Sequence, residues 1–226
     1  MSALTRLRNV VRSGGISAVA AKAVGVVADW HFDWRYGVDT NRPRQFDGLT
    51  IEAGDLQRAG YYEGSRTLAL KRVLTPLAAE AARTQGTFVD VGCGKGKVLM
   101  AAAAAGFPTV RGIEFARELC ELARENWQTF QSRSGVQAEC TVIEADAAAY
   151  AIQPDEQVFF FFNPLEAGIL RAVLDNIAAS ARATPRPITL VFALASQPYR
   201  QMIADHGVFA PVREQRAWGC QFTCYQ

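Results

Sequence analysis

Histidine is nearly absent from this chain: His31 and His206 are the only two in 226 residues, and they stand far apart. The five cysteines, Cys93, Cys120, Cys140, Cys220 and Cys224, contain no CxxC pair and no Cys/His pairing. Such a set builds no zinc framework, so no metal is expected. An odd number of unpaired thiols points to a reducing, cytoplasmic setting. Net charge is small as well, +2, too little for a chain held to nucleic acid mainly by nonspecific attraction. Long apolar runs are missing too. The longest near the N-terminus, Ile16 to Ala28, carries Lys22 in its middle and is too short to span a bilayer, so no stable membrane insertion is expected. Arg6, Arg8 and Arg12 ahead of it imitate the basic start of a signal peptide, but an Ala/Val-rich helix docked on its own domain is the preferred reading. The chain has no internal repeat and no low-complexity linker.

What is present is a globular composition, half apolar and one fifth charged. The charge is unevenly placed. Residues 1–45 hold seven basic and three acidic side chains, net +4, so the remainder is slightly acidic at −2. The same front section holds Trp30-His31-Phe32-Asp33-Trp34-Arg35-Tyr36. Aromatics beside basic residues can stack on nucleobases, but packing of an N-terminal helix is the preferred role. Leu4 to Trp30 reads as broken helix interrupted at Gly14-Gly15, residues 31–60 as mixed, and Tyr62 to Ala82 as two helices interrupted near Pro76.

From Thr87 onward short β-rich runs alternate with helical patterns, as in βαβ units over a parallel sheet. Strands are expected at Thr87–Val91, Thr109–Glu114, Cys140–Ala145, Gln157–Phe162 and Ile188–Phe192. Helices are expected from Lys97 to the stop at Gly106, from Ala116 to Phe130 and from Ile169 to Ala181. The four phenylalanines Phe159–Phe162 require burial on both faces, which makes that strand central. Val208–Glu214 and Gly219–Tyr225 read as a closing hairpin with no further long helix.

The loop Asp90-Val91-Gly92-Cys93-Gly94-Lys95-Gly96 joins the first strand to a helix, where glycines let a ligand approach backbone N–H groups. It is not a dinucleotide fingerprint, because Lys97 occupies the last glycine position, and it is not a phosphate-binding GxxxxGK[ST] loop. An acid two residues before GxGxG resembles motif I of the class I S-adenosylmethionine-dependent methyltransferases. That resemblance extends to two more strand ends. Glu114 stands where the family places the acid that takes both ribose hydroxyls, and Asp146, with Ala147 after it, where an acid accepts from the adenine amino group. Phe115 then offers an apolar platform to adenine. Lys95 and Lys97 are expected to flank the loop in solvent.

After the fourth strand, Asn163-Pro164 resembles the family's motif IV, although Leu165 and Glu166 replace the proline and aromatic that usually follow. An Asn carbonyl and a neighbouring backbone carbonyl can hold an amine and aim its lone pair, so Asn163 is the candidate catalytic residue. Tyr62, Arg66 and Pro164 are candidates for the acceptor pocket. No histidine is placed to act as a general base.

The resemblance covers about residues 87–226. It implies an α/β fold with a seven-stranded Rossmann-like sheet in the order 3-2-1-4-5-7-6, strand 7 antiparallel, with S-adenosylmethionine over the strand ends. The expected division is an N-terminal mostly helical extension over residues 1–85 and a cofactor-binding domain over 86–226. The implied activity is methyl transfer to an unidentified acceptor, leaning to an amine nitrogen on a protein or another molecule. A noncatalytic cofactor-binding scaffold and a nucleic-acid methyltransferase are the alternatives.

Overall fold

The run Thr87-Phe88-Val89-Asp90-Val91 is buried along its whole length and forms β1, the strand on which the sheet is organised. The computed structural model describes residues 23–42, 66–162, 165–193 and 197–226. Parallel to β1 lie β2 (Thr109–Glu114), β3 (Glu139–Glu144), β4 (Glu156–Phe162) and β5 (Thr189–Ala193); β6 (Pro211–Ala217) and β7 (Cys220–Tyr225) form the hairpin. The order is β3-β2-β1-β4-β5-β7-β6, with β7 antiparallel to β5. Strand bounds lie within a residue or two of expectation in the parallel part. The hairpin differs more. Its first strand begins at Pro211 and runs on to Ala217, and the connection shrinks to Trp218-Gly219, both at positive φ, the signature of a type I′ turn.

Helices cover both faces of the sheet, and the phenylalanine run explains how. Side chains alternate along a strand, so Phe160 joins Phe88, Phe107 and Phe222 on one face while Phe159 and Phe161 enter the other beside Leu170, Leu174 and Phe192. Phe161 and Phe192 stack at 4.4 Å with nearly parallel rings. The first face is covered by a helix over residues 23–36 (α1), α2 (Thr67–Ala81), α3 (Lys97–Ala105) and α4 (Arg117–Ser134). The second carries α5 (Ala167–Ala183) and α6 (Gln197–His206).

Three expectations need correction. Pro76 does not divide a helical pair: α2 is continuous through it. The proline removes only the bond to the Arg72 carbonyl, and Arg72 and Pro76 both face solvent. Leu70, Val73, Leu74, Leu77 and Ala81 hold the buried stripe on either side, which outweighs that local loss. Helix α6 was not anticipated, because Ile203 is its only buried residue and it therefore lacks an apolar stripe. His206 closes that helix and reaches Asp175 Oδ1 at 3.0 Å. Residues 31–36, expected to be irregular, continue α1. The Gly14-Gly15 break and the start of the Tyr62 segment lie outside the described residues.

Candidate cofactor site

β1 ends one residue after Asp90, and the chain then turns on three glycines in the left-handed region: Gly92 at φ 80°, Gly94 at 52° and Gly96 at 81°. Side chains disfavour that conformation, which is why glycine recurs at alternate positions. The turn is tied back over β2, since the N–H groups of Gly92 and Cys93 both donate to the Ile113 carbonyl, at 2.8 and 3.0 Å. Gly92 is exposed, and a Cβ built there meets no atom within 4 Å. The loop therefore opens on free space at the carboxyl ends of the strands, the side on which open α/β sheets bind ligands. Gly112 has a different task. A Cβ there would lie 2.6 Å from Cys93 Sγ, so its absence lets the loop seat its thiol against β2.

Glu114 ends β2 and is 4% exposed. Its Oε2 accepts from the Gly94 N–H at 2.9 Å and its Oε1 from the Ala116 N–H at 3.0 Å. Each carboxylate oxygen has a further acceptor site, so a diol can still be held by this group. Burial pushes its carboxyl above the ordinary range, while N–H donation from Ala116, Gly94 and Phe115 works in the opposite direction. Asp90 is buried as well, and desolvation followed by the Glu114 charge pushes it well up. Phe115 is half-buried directly after Glu114. Asp146 accepts from the Ala148 N–H at 2.9 Å, capping the short turn Ala147–Ala149 that follows β3 and leaving its second oxygen out of that bond. The acids at the ends of β1, β2 and β3 thus stand on three neighbouring strands in register, with Val91 beside Ile113 and Glu114 beside Glu144.

This set fits S-adenosylmethionine: an open glycine cradle, a buried two-oxygen acceptor and a second acid one strand further out. Asn163, Pro164 and Tyr62 lie outside the described residues. Leu165 and Glu166, which follow, lead into α5, and the Tyr199 hydroxyl donates to the Leu165 carbonyl at 3.0 Å, linking α6 to this loop.

The chain is similar to solved methyltransferases. The ribosomal protein L11 methylase from Lactobacillus delbrueckii subsp. bulgaricus is 19% identical, over 72% of this chain and 79% of that one, with a TM-score of 0.48. Magnesium protoporphyrin IX methyltransferase from Synechocystis PCC 6803, solved with bound SAH, is 15% identical over 69% and 82%, with a TM-score of 0.48. An RNA methyltransferase from Salinibacter ruber, in complex with S-adenosyl-L-homocysteine, is 17% identical over 66% and 88%, with a TM-score of 0.43. No family model matches the chain, and no curated protein sequence matches it.

The largest departure from the sequence reading concerns the loop lysines. Lys95 and Lys97 are buried, not solvated. Lys97 Nζ donates to Asp29 Oδ1 at 2.9 Å and to Asn41 Oδ1 at 2.8 Å. Lys95 Nζ donates to the Arg42 carbonyl at 2.8 Å and lies 3.3 Å from Asp39 Oδ2. Residues 38–42 therefore lie across the loop. Asn126 of α4 secures them, donating to the carbonyls of Lys95 and Asp39 and accepting from the Asp39 N–H. Asp29 also accepts from Arg66 Nη1 at 3.0 Å and from the Thr67 N–H at 2.8 Å. The carboxylate that Arg66 meets is thus the protein's own. Burial lowers the affinity of Lys97 for its proton, and the Asp29 charge and hydrogen bond resist that effect.

Proposed function

We propose that the chain is an S-adenosylmethionine-dependent methyltransferase. The observation that carries this reading is Glu114, a buried carboxylate bonded to the cofactor-loop backbone with acceptor sites to spare. Gly92, Gly94 and Gly96 would admit the methionine end beside Asp90, Glu114 would take the ribose hydroxyls, and Asp146, Ala147 and Phe115 would receive the adenine. The cofactor, when bound, supplies an electrophilic methyl group on a sulfonium.

The protein's part is positioning. In-line displacement needs the acceptor atom held near the methyl with its lone pair aligned, and that orientation supplies much of the rate. Asn163 and the Pro164 backbone are proposed to hold an amine in this way, which favours a nitrogen acceptor on a protein or another molecule. Tyr62 is the proposed acceptor-pocket residue. The proposed setting is cytoplasmic, and the proposed division into an extension (1–85) and a cofactor domain (86–226) makes the first part the source of acceptor choice. Among the described residues no helix is long and apolar enough to cross a membrane.

Titration calorimetry with S-adenosylmethionine is the direct test. Binding that Glu114→Ala weakens by at least about tenfold supports the site, since a lost charged hydrogen bond is worth roughly 1.5–3 kcal/mol. An intact protein that gives no binding removes the proposal. Labelled cofactor added to a cell extract, followed by nuclease or protease, then identifies the class of acceptor. Cofactor binding without label transfer to any fraction favours a noncatalytic scaffold.

A further inference from the structure

Helix α1 is turned the wrong way round for a helix of a globular surface. Its two carboxylates point inward: Asp29 is 3% exposed and engages Lys97, Arg66 and Thr67, while Asp33 accepts from the N–H groups of Thr40 and Asn41. Its outward side is apolar. Val27, Trp30 and Trp34, spaced three and four residues apart, are 67%, 71% and 77% exposed, and Val24 and Val26 flank them. The polar groups on this side are His31, 5.8 Å from the Trp34 ring, and Arg35, whose guanidinium lies over Tyr36. No acid is exposed anywhere on the helix.

We infer that this face docks on an anionic bilayer surface. Three observations favour that occupant. Tryptophan is suited to the headgroup level of a bilayer, and valines beside it enter the acyl boundary without needing hydrogen-bond partners. Every acid of residues 1–45 has a partner within the protein: buried Asp29 with Lys97, partly exposed Asp39 with Lys95, and Asp33 with Thr40 and Asn41. The segment's net charge of +4, with Arg6, Arg8, Arg12 and Lys22 preceding the helix, therefore has no exposed negative charge on α1 to oppose it, and anionic lipid attracts such a segment. A nucleic acid would find two tryptophans to stack on, but Val24, Val26 and Val27, exposed on the turns before them, offer nothing to its phosphates. The inference does not depend on the catalytic reading, because neither tryptophan belongs to the cofactor site.

Full-length protein is sedimented with vesicles of phosphatidylcholine, and with vesicles containing about 30% phosphatidylglycerol. The expected result is cosedimentation with the anionic vesicles, weakened by salt, and little with phosphatidylcholine alone. Trp30→Ser/Trp34→Ser is expected to lose at least about tenfold in binding, while Trp218→Ser, an exposed tryptophan elsewhere, keeps it. Circular dichroism melts of the variants establish that they are folded. Wild-type protein left in the supernatant, equal binding to both vesicle types, or a folded double variant that binds like wild type overturns the inference. So does light scattering that finds a dimer dissolved by the double substitution with no vesicle binding, which assigns the face to a second copy.

Discussion

Lys97 and Asp29 meet at 2.9 Å with both side chains almost fully buried, 68 residues apart in the chain. One heads the helix after the glycine loop; the other sits on α1. The loop's shape is therefore set partly by a segment that contributes nothing to the sheet. Asp29→Ala leaves a buried ammonium without its counter-charge and is expected to lower stability by about 3–5 kcal/mol. Lys97→Met in the same chain should recover part of that loss, and urea unfolding of the four proteins measures the coupling. A loss below about 1 kcal/mol for Asp29→Ala would place the pair with exposed ion pairs instead.

Asp90 makes stability depend on pH in an unusual direction. Its folded pKa is raised well above 3.8 by burial and by Glu114, so between the ordinary value and the raised one the folded state holds the extra proton. Its contribution is present at low pH and is lost as pH rises through the folded pKa. Asp90→Asn is accordingly expected to raise the melting temperature at neutral pH, with the gain shrinking as pH falls from the raised value towards the ordinary carboxylate range and gone below it. A neutral-pH melting temperature that falls on substitution contradicts this.

Gly92 and Gly135 form a natural pair for separating strain from binding. Both have positive φ, 80° and 71°, and neither would bring a Cβ within 4 Å of another atom. Alanine at either position should lower stability by about 1–2 kcal/mol through backbone strain alone. Only Gly92→Ala is expected to weaken S-adenosylmethionine in calorimetry, because Gly135 caps α4 away from the loop. Equal affinities in the two variants would show that the cofactor does not pass Gly92.

Trp218 occupies the first position of the hairpin turn at φ 50°, where asparagine is preferred. Trp218→Asn should stabilise the protein by about 0.5–1 kcal/mol, within the range for relief of a left-handed residue. Thermal denaturation checks the sign.

Sequence periodicity carried the parallel sheet well, because each strand is flanked by turn residues and β1, β4 and β5 are buried along nearly their whole length. The phenylalanine run placed β4 at the centre for a reason that the alternation of Phe159 and Phe160 between two cores bears out. Helix α6 escaped because one buried isoleucine makes no pattern. The lysine contacts escaped for a different reason. A lysine in a glycine loop looks solvated unless its carboxylate can be named, and Asp29 and Asp39 lie more than fifty residues upstream, in a stretch with weak periodicity. The available signal was the apolar run Val98-Leu99-Met100 directly after Lys97, which leaves little solvent at that helix start. The strand-end placement of Glu114 and Asp146, by contrast, was readable, since one terminates β2 and the other follows β3.

The two cores fed by Phe159–Phe162 also bear on how the chain is synthesised. One edge of β4 is met by β1, which emerges earlier from the ribosome; the other waits for Thr189–Ala193, and β5 in turn waits for β7. Until then the nascent chain presents its most aromatic strand with an unmated side, a template for pairing with other chains. Late-made segments thus act as the shield for an early hazard, and the yield of soluble protein should respond to translation rate and chaperone supply more than to any single residue of the cofactor loop.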